Sequence, residues 1–274
     1  MSNRIFQWIC GLIVMVIVIN SGCSSGTQRD DDQKKKDVDK AYDAHIESMV
    51  NQISLMNSRS PSTFSVSFVI VGSMKNKKFK SIGTIDYDKK LNLMNASFLD
   101  YIFKSPVTTI FKNGYNINFY FPAENKLVMD DTRLIDLRNY LDLSLDFNLF
   151  YDLICGKIPI IENYKIKQGL SVKEGKGSFL ILENAYYYQT ISYSTLKPDK
   201  ILFLKKDNNE KYEVYIKEYE QNKETHYFKN IRILVKNSDI ELDFTFESIR
   251  LNIPVKVNTM DKFRLPAGVK IIKM

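Results

Sequence analysis

The sequence predicts a mostly β protein, an α+β chain with about ten antiparallel strands and a few helices. Three observations predict it. Apolar residues recur with period two through much of the chain, most cleanly where Ile240, Leu242, Phe244 and Phe246 alternate with Glu241, Asp243, Thr245 and Glu247. Turn signals separate such runs at hairpin spacing, with Asn113-Gly114 the strongest. Helical and strand patterns do not alternate as βαβ units, which argues against a parallel sheet.

The first 22 residues are expected to lie outside that fold. Arg4 gives a positive start, and Ile5 to Ile19 is a nearly unbroken apolar run. That suits an export signal and is short for a spanning helix, which needs roughly 20 apolar residues. The run ends in Asn20-Ser21-Gly22-Cys23. Small residues directly before a cysteine are what a lipoprotein signal peptidase accepts, because it must hold the scissile backbone beside a lipid-modified cysteine. Asn20 departs from this pattern: an aliphatic residue is usual there, and Ile19 is the nearest substitute. The reading is a signal peptide over 1–22 and acylation, of the palmitate type, at Cys23. The alternative is an uncleaved anchor helix. Each buried methylene is worth about 0.8 kcal/mol, so two or three acyl chains make a durable anchor.

Residues 23–40 carry the lipid and a tether. Ser24 to Lys40 is polar, charge-dense and almost without large apolar residues, so it cannot bury enough surface to order itself. Residues 41–274 are then one domain, long enough for one well-buried core. It opens with a helix over about Val38–Met56, where Tyr42, Ile46, Met49, Ile53 and Met56 step by four and three onto one stripe. Pro61 closes it.

Strands follow. Phe64, Val66, Phe68 and Ile70 alternate with polar neighbours, and Ser81–Tyr87 and Lys90–Met94 come next around Asp88-Lys89. Thr108–Phe111 and Tyr115–Phe121 flank Asn113-Gly114, and Lys126–Met129 returns after Pro122. The segment 132–154 breaks the rhythm: Leu134, Leu137, Tyr140 and Leu141 suit one short helix, Phe147–Ile154 another. Ser178–Leu182, Tyr186–Ser194, Lys200–Lys205, Tyr212–Tyr219, Ile231–Val235 and the run from Ile240 to Ile253 complete the β pattern.

Composition narrows the function. The net charge of +7 is spread among acids instead of forming a patch, so nucleic acid is not an expected partner. Of three cysteines, Cys10 leaves with the signal and Cys23 takes the lipid. Cys155 is then alone in an apolar stretch and reads as a small buried hydrophobe. The two histidines, His45 and His226, sit in no metal-ligand spacing, and there is no G-x-S-x-G or phosphate-binding glycine loop. No enzyme, cofactor or metal is expected.

The order of elements resembles the LolA/LolB-like superfamily, which includes the periplasmic lipoprotein carrier, the outer-membrane lipoprotein receptor and related lipoproteins. The residues that carry the resemblance are the signal and Cys23, one leading helix, the ladder through GTIDYDKKLNLM and the hairpin FKNGYNINFYFPAENKLV. The helical segment with LFYDLICGKIP and the final meander from FESIRLNIPV to FRLPAGVKI complete it. The resemblance implies a curved antiparallel half-barrel whose apolar concave face is lidded by helices and can hold acyl chains. Phe68, Phe111, Phe119, Phe121, Tyr186, Tyr188 and Phe203 are the cavity candidates. By themselves these aromatics fit an ordinary filled core equally well. The resemblance also implies a membrane-directed loop within Ala96–Pro106, with Leu99, Tyr101, Ile102 and Phe103 as its apolar residues. Another packed strand and turn fits the same stretch.

The expected protein is a monomeric, membrane-anchored lipoprotein that faces the periplasm from the outer membrane. Ser24, where an aspartate would mark inner-membrane retention in many diderm bacteria, favours that side. It would bind lipid or lipoprotein acyl chains for transport or insertion. The rival is a structural or protein-interaction lipoprotein that uses the sheet as a scaffold without lipid cargo. A third reading is a lipoprotein exposed at the cell surface. An open cavity of several hundred Å³ would favour the carrier, and a filled concave face the scaffold.

Overall fold

The computed structural model describes residues 45–135, 137, 146–171, 177–194, 197–222, 224–236 and 238–274. The signal segment, Cys23 and the tether lie outside the described residues, as do Tyr42 of the leading helix and Tyr140 and Leu141 of the expected central helix. Residues 46–274 form one compact unit. Among the described residues, every member of the apolar core falls within that range.

The leading helix, α1 (residues 45–58), buries Ile46, Met49, Ile53 and Met56, the stripe that the spacing predicts. The chain then enters β1 (Thr63–Met74), β2 (Lys77–Asp88), β3 (Leu93–Asp100), β4 (Pro106–Asn113), β5 (Asn116–Phe121) and β6 (Lys126–Asp131). Helix α2 (Phe147–Ile154) leads to β7 (Lys165–Ser171), β8 (Ser178–Glu183), β9 (Tyr187–Tyr193) and β10 (Pro198–Lys205). The last strands are β11 (Lys211–Asn222), β12 (Thr225–Val235), β13 (Ile240–Leu251) and β14 (Lys270–Lys273).

All fourteen strands belong to one sheet, in the order β14-β6-β5-β4-β3-β2-β1-β13-β12-β11-β10-β9-β8-β7. The two meanders join where β1 pairs antiparallel with β13. The sheet does not close, and β14 and β7 are its edges. Apolar residues from both arms, Ile117 on β5 and Leu180 on β8 among them, meet in a single core with the helices. This is the curved, open half-barrel with helices on its inner side.

The strand count exceeds the expected ten. Two of the fourteen carry too little pattern to be read. In β7 only Ile166 and Leu170 are large and apolar, and β14 sets Ile271 beside Ile272 with no alternation. The β14–β6 pairing is also parallel, the one departure from an antiparallel sheet among the described strands. β3 runs on to Asp100, so Leu99 is a strand residue paired with Ile82, and the loop shrinks to a turn at 101–105.

Strand alternation sorts the aromatics onto two faces. On the concave face Phe68, Phe244 and Phe246 lie with their rings in contact along β1 and β13, and Phe64 packs against Tyr87 and Tyr227. Gly83, paired with Phe68, makes room for them: a Cβ there would stand 2.4 Å from the Phe68 ring and 2.1 Å from the Ser97 carbonyl oxygen. On the convex face Phe111 and Tyr120 are buried beneath Phe263, with ring centroids 5.0 and 5.4 Å away. The C-terminal segment thus crosses the outside of β4 and β5 before β14 joins β6. Phe111 was expected in the cavity. It points the other way, because Ile110 beside it takes the inner position of β4.

Candidate functional site

Among the described residues the concave face is lined by closely packed apolar side chains. Between the sheet and α2 remains a void of about 40 Å³, lined by apolar side chains that include Phe68, Ile85, Phe98, Phe119, Phe147 and Phe150. An acyl chain needs far more room, so the pocket is closed as it stands.

Helix α2 forms the roof. Phe147, Leu149, Leu153 and Ile154 are its buried side. Its N-terminus is capped by Asp146, whose carboxylate accepts from the amides of Asn148 at 2.8 Å and Leu149 at 3.4 Å. The C-terminal end is held more firmly. The buried Tyr227 hydroxyl donates to the Ile154 carbonyl at 2.6 Å. Gly156 follows at φ +76°, where a Cβ would meet the Tyr227 ring at 2.7 Å. Two amide side chains then grip the backbone. Asn57 of α1 donates to and accepts from Ile158, each at 2.8 Å. Gln189, buried on β9, donates to the Pro159 carbonyl at 2.6 Å and accepts from the Ile161 amide at 3.0 Å. Among the described residues the roof is therefore pinned at its end and capped at its start by a single carboxylate.

A polar cluster sits under the last turn of α2. Tyr87, Lys112, Tyr151 and Cys155 are neighbours there. Burial pushes the Cys155 thiol up to about 12 and raises the Tyr87 and Tyr151 phenols well above their usual range. Burial also lowers the Lys112 ammonium. Cys155 is a free, buried thiol, as its apolar surroundings in sequence suggest.

The aromatic candidates divide by position. Phe68 and Phe119 line the void. Phe121 stacks beside Phe119 with Lys126 over its ring. Phe203 is buried in the same core on β10, packed against Tyr187. Tyr186 is 70 % exposed on the β8–β9 turn and borders a separate cleft of about 340 Å³ with Asp146, Asp152, Glu162 and Asn184. Tyr188 turns outward beneath Lys206. The sequence reading missed Lys112, because a lysine in a strand usually reads as a solvent-facing residue. Its place two residues from Ile110 on β4, and so on the same face, was the available signal.

The loop candidates form a tight turn. The Asp100 carboxylate accepts from the amides of Ile102 at 2.9 Å and Phe103 at 2.8 Å. Ile102 and Phe103 are then 76 % and 81 % exposed. Tyr101 lies beneath Lys80 and Lys104, whose ammonium groups stand 3.6 and 4.5 Å from its ring centre. The neighbouring β1–β2 hairpin adds Lys75, Lys77 and Lys78.

Among the described residues no group of three histidine, cysteine or acidic side chains is placed to hold a metal. No helix among them is long and apolar enough to cross a membrane. His226 is buried on β12, and its Nε2 has no partner there.

No protein-family profile and no curated protein matches the chain. Solved structures do. A LolA superfamily protein from Nitrosomonas europaea superposes with a TM-score of 0.53 at 10 % identity, over 74 % of this chain and 94 % of that one. A DUF1329 family protein from Desulfovibrio piger gives 0.55 at 11 % identity, over 77 % and 95 %. A protein from Vibrio parahaemolyticus described as an outer membrane lipoprotein-sorting protein domain gives 0.54 at 9 %, over 74 % and 92 %. At such identity the likeness is one of architecture, and the architecture of this chain is the LolA-like fold.

Proposed function

We propose that this chain is a lipid-anchored lipoprotein that holds an acyl ligand on the concave face of its sheet, with α2 as the lid. The observation that carries the reading is the wholly apolar void between α2 and the sheet, in a fold shared with a lipoprotein-sorting domain. Ligand entry requires α2 to swing about its pinned C-terminal end. The acyl chain then takes the volume of Phe147 and Phe150. In this reading residues 1–22 are removed, Cys23 is acylated and 23–40 form the tether at the outer membrane, facing the periplasm. Ile102 and Phe103 are the membrane-directed tip, with Tyr101 and the strand residue Leu99 behind them.

The test uses a soluble chain of residues 41–274, which contains the whole compact unit. It is purified natively, extracted, and its extract searched for acyl ligands by mass spectrometry. Uptake of a fluorescent fatty acid is measured alongside. Stoichiometric ligand or saturable uptake supports the carrier. An empty protein that takes up no fatty acid sinks it. The tip has its own check: the double variant Ile102→Ser/Phe103→Ser folds normally but loses co-sedimentation with lipid vesicles.

A second reading is favoured by one observation, the small size of the void between α2 and the sheet. A void of about 40 Å³ is what a scaffold lipoprotein needs and less than a ready carrier offers. Failure of the uptake experiment selects this reading.

A further inference from the structure

Lys112 is an anomaly on the concave face. It is only 6 % exposed. Its ammonium donates to the Asn92 side-chain oxygen at 2.7 Å and to the Gly114 carbonyl at 2.8 Å, and the Tyr151 ring lies 4.6 Å away. All three partners are neutral, and no carboxylate among the described residues forms an ion pair with it. The nearby ion pair is Lys157 with Asp152, which uses up that acid at 3.0 Å and adds no net negative charge. A buried ion is costly unless an opposite charge offsets it.

A second unsatisfied group stands beside it. The Tyr151 hydroxyl is buried and makes no hydrogen bond of good geometry, although Tyr87 and Cys155 are its neighbours. Burial keeps all three protonated, so the phenols and the thiol offer donors and no charge. One cation and a free donor thus converge at one place. From there the inner face of β4 leads two residues on to Ile110, which lines the apolar void with Ile85, Met94 and Phe119. The combination is a positive, donor-rich end joined to an apolar slot.

We propose that Lys112 and Tyr151 form the headgroup end of the ligand site, and that the ligand is an amphiphile with one anionic group, a carboxylate or a phosphate, on an acyl chain. The inference rests on the carrier reading above and names its ligand class. The headgroup takes the third ammonium proton of Lys112, which now faces the Tyr151 ring, and the hydroxyl of Tyr151. The chain follows Ile110 and Met94 beneath the displaced α2. Acyl esters and amides that carry no anionic group lack the charge and bind more weakly.

The experiment measures binding of palmitate, palmitoyl-lysophosphatidate and the neutral hexadecanol to the soluble chain, by displacement of a fluorescent acyl probe. The two anionic ligands are expected to bind at least about tenfold more tightly than hexadecanol, the gain that one well-placed buried charge pair gives. Lys112→Met removes that preference and leaves hexadecanol affinity within about twofold, and Lys112→Arg keeps it. Replacing a buried cation by an apolar isostere is commonly tolerated. If Lys112→Met does not fold, Tyr151→Phe is the substitute, with an expected loss of about threefold for the anionic ligands alone. Equal affinity for charged and neutral ligands overturns the headgroup site and leaves the carrier standing. Binding of none of the three overturns the carrier itself. Preference for only one anion tells carboxylate from phosphate.

Discussion

At the level of single residues, the concave face depends on positions where one atom decides the packing. Gly83 is the sharpest. Phe68 lies against the neighbouring strand at the point where any larger residue would place its Cβ, and the Ser97 carbonyl oxygen stands closer still to the same point. The clash with backbone cannot relax, so Gly83→Ala is expected to cost about 3 kcal/mol, at the upper end for overpacking. A urea melt of the soluble chain reads this directly. Trimming Phe68 as well does not restore stability, since the carbonyl remains. Cys155 makes a second prediction. Its folded pKa is raised from 9.0 to about 12 by burial. The stability this confers is complete below the unfolded thiol's pKa and is lost as pH climbs from about 9 towards about 12. At pH 8 the native thiol should resist alkylation and react only when denaturant is added. Prompt modification of the folded protein would contradict its burial beneath α2. Sequence reached the second of these and not the first. The apolar run around Cys155 announces burial, whereas nothing local distinguishes Gly83 from a glycine in a weak strand.

Elements were legible in proportion to how one-sided their burial is. α1 shows its stripe because one face meets the core and the other meets solvent. β13 alternates from Ile240 to Glu247 for the same reason. β7 and β14 are edge strands, and the described side chains of 165–167 and of β14 are mostly exposed, so pattern is absent where packing is absent. Helix α2 was recognisable, but its role as a roof came only through the family resemblance, since periodicity does not say what a helix covers. Its pinning is asymmetric, and that makes a prediction. The C-terminal end is tied by Tyr227, Asn57 and Gln189. Among the described residues Asp146 alone caps the N-terminus, and a helix of eight residues has little stability of its own. Asp146→Ala removes a cap worth about 1 kcal/mol, a small loss for the whole domain. Hydrogen exchange should quicken in α2 far more than in β1 or β13, and the fluorescent fatty acid should enter several times faster. Unchanged exchange in α2 together with unchanged uptake would mean that the helix is not the lid.

The molecule as a whole is an open sheet, and an open sheet has two edges that must be kept from pairing with other chains. β7 is protected by its lysines: Lys165 and Lys167 flank Ile166, and Lys167 pairs with Glu183. The other edge is protected by the C-terminus. After β13 the chain crosses the convex face, seats Phe263 over Phe111 and Tyr120, and lays β14 along β6. Three hydrogen bonds mark the return: the Asn125 side chain donates to the Ala267 carbonyl at 3.4 Å, the Lys270 amide to the Asn125 carbonyl at 2.9 Å, and the Met274 amide to the Met129 carbonyl at 3.0 Å. β14 is short, parallel and begins and ends in lysine, which makes it a poor template for further strands. β6, once uncovered, is a better one: it offers Leu127, Val128 and Met129 along an unpaired edge. Deleting residues 270–274 leaves the concave core intact, because β14 contributes only Ile272 against its margin. The truncated chain is therefore expected to keep its fatty-acid uptake and most of its thermal stability while it associates in a concentration-dependent way. The intact chain stays monomeric under the same conditions. Light scattering behind a sizing column separates the two. If the truncated chain is also monomeric, the edge is guarded by the convex crossing and not by β14. Phe263→Ala then becomes the change that exposes it, with Phe111 and Tyr120 laid open to solvent.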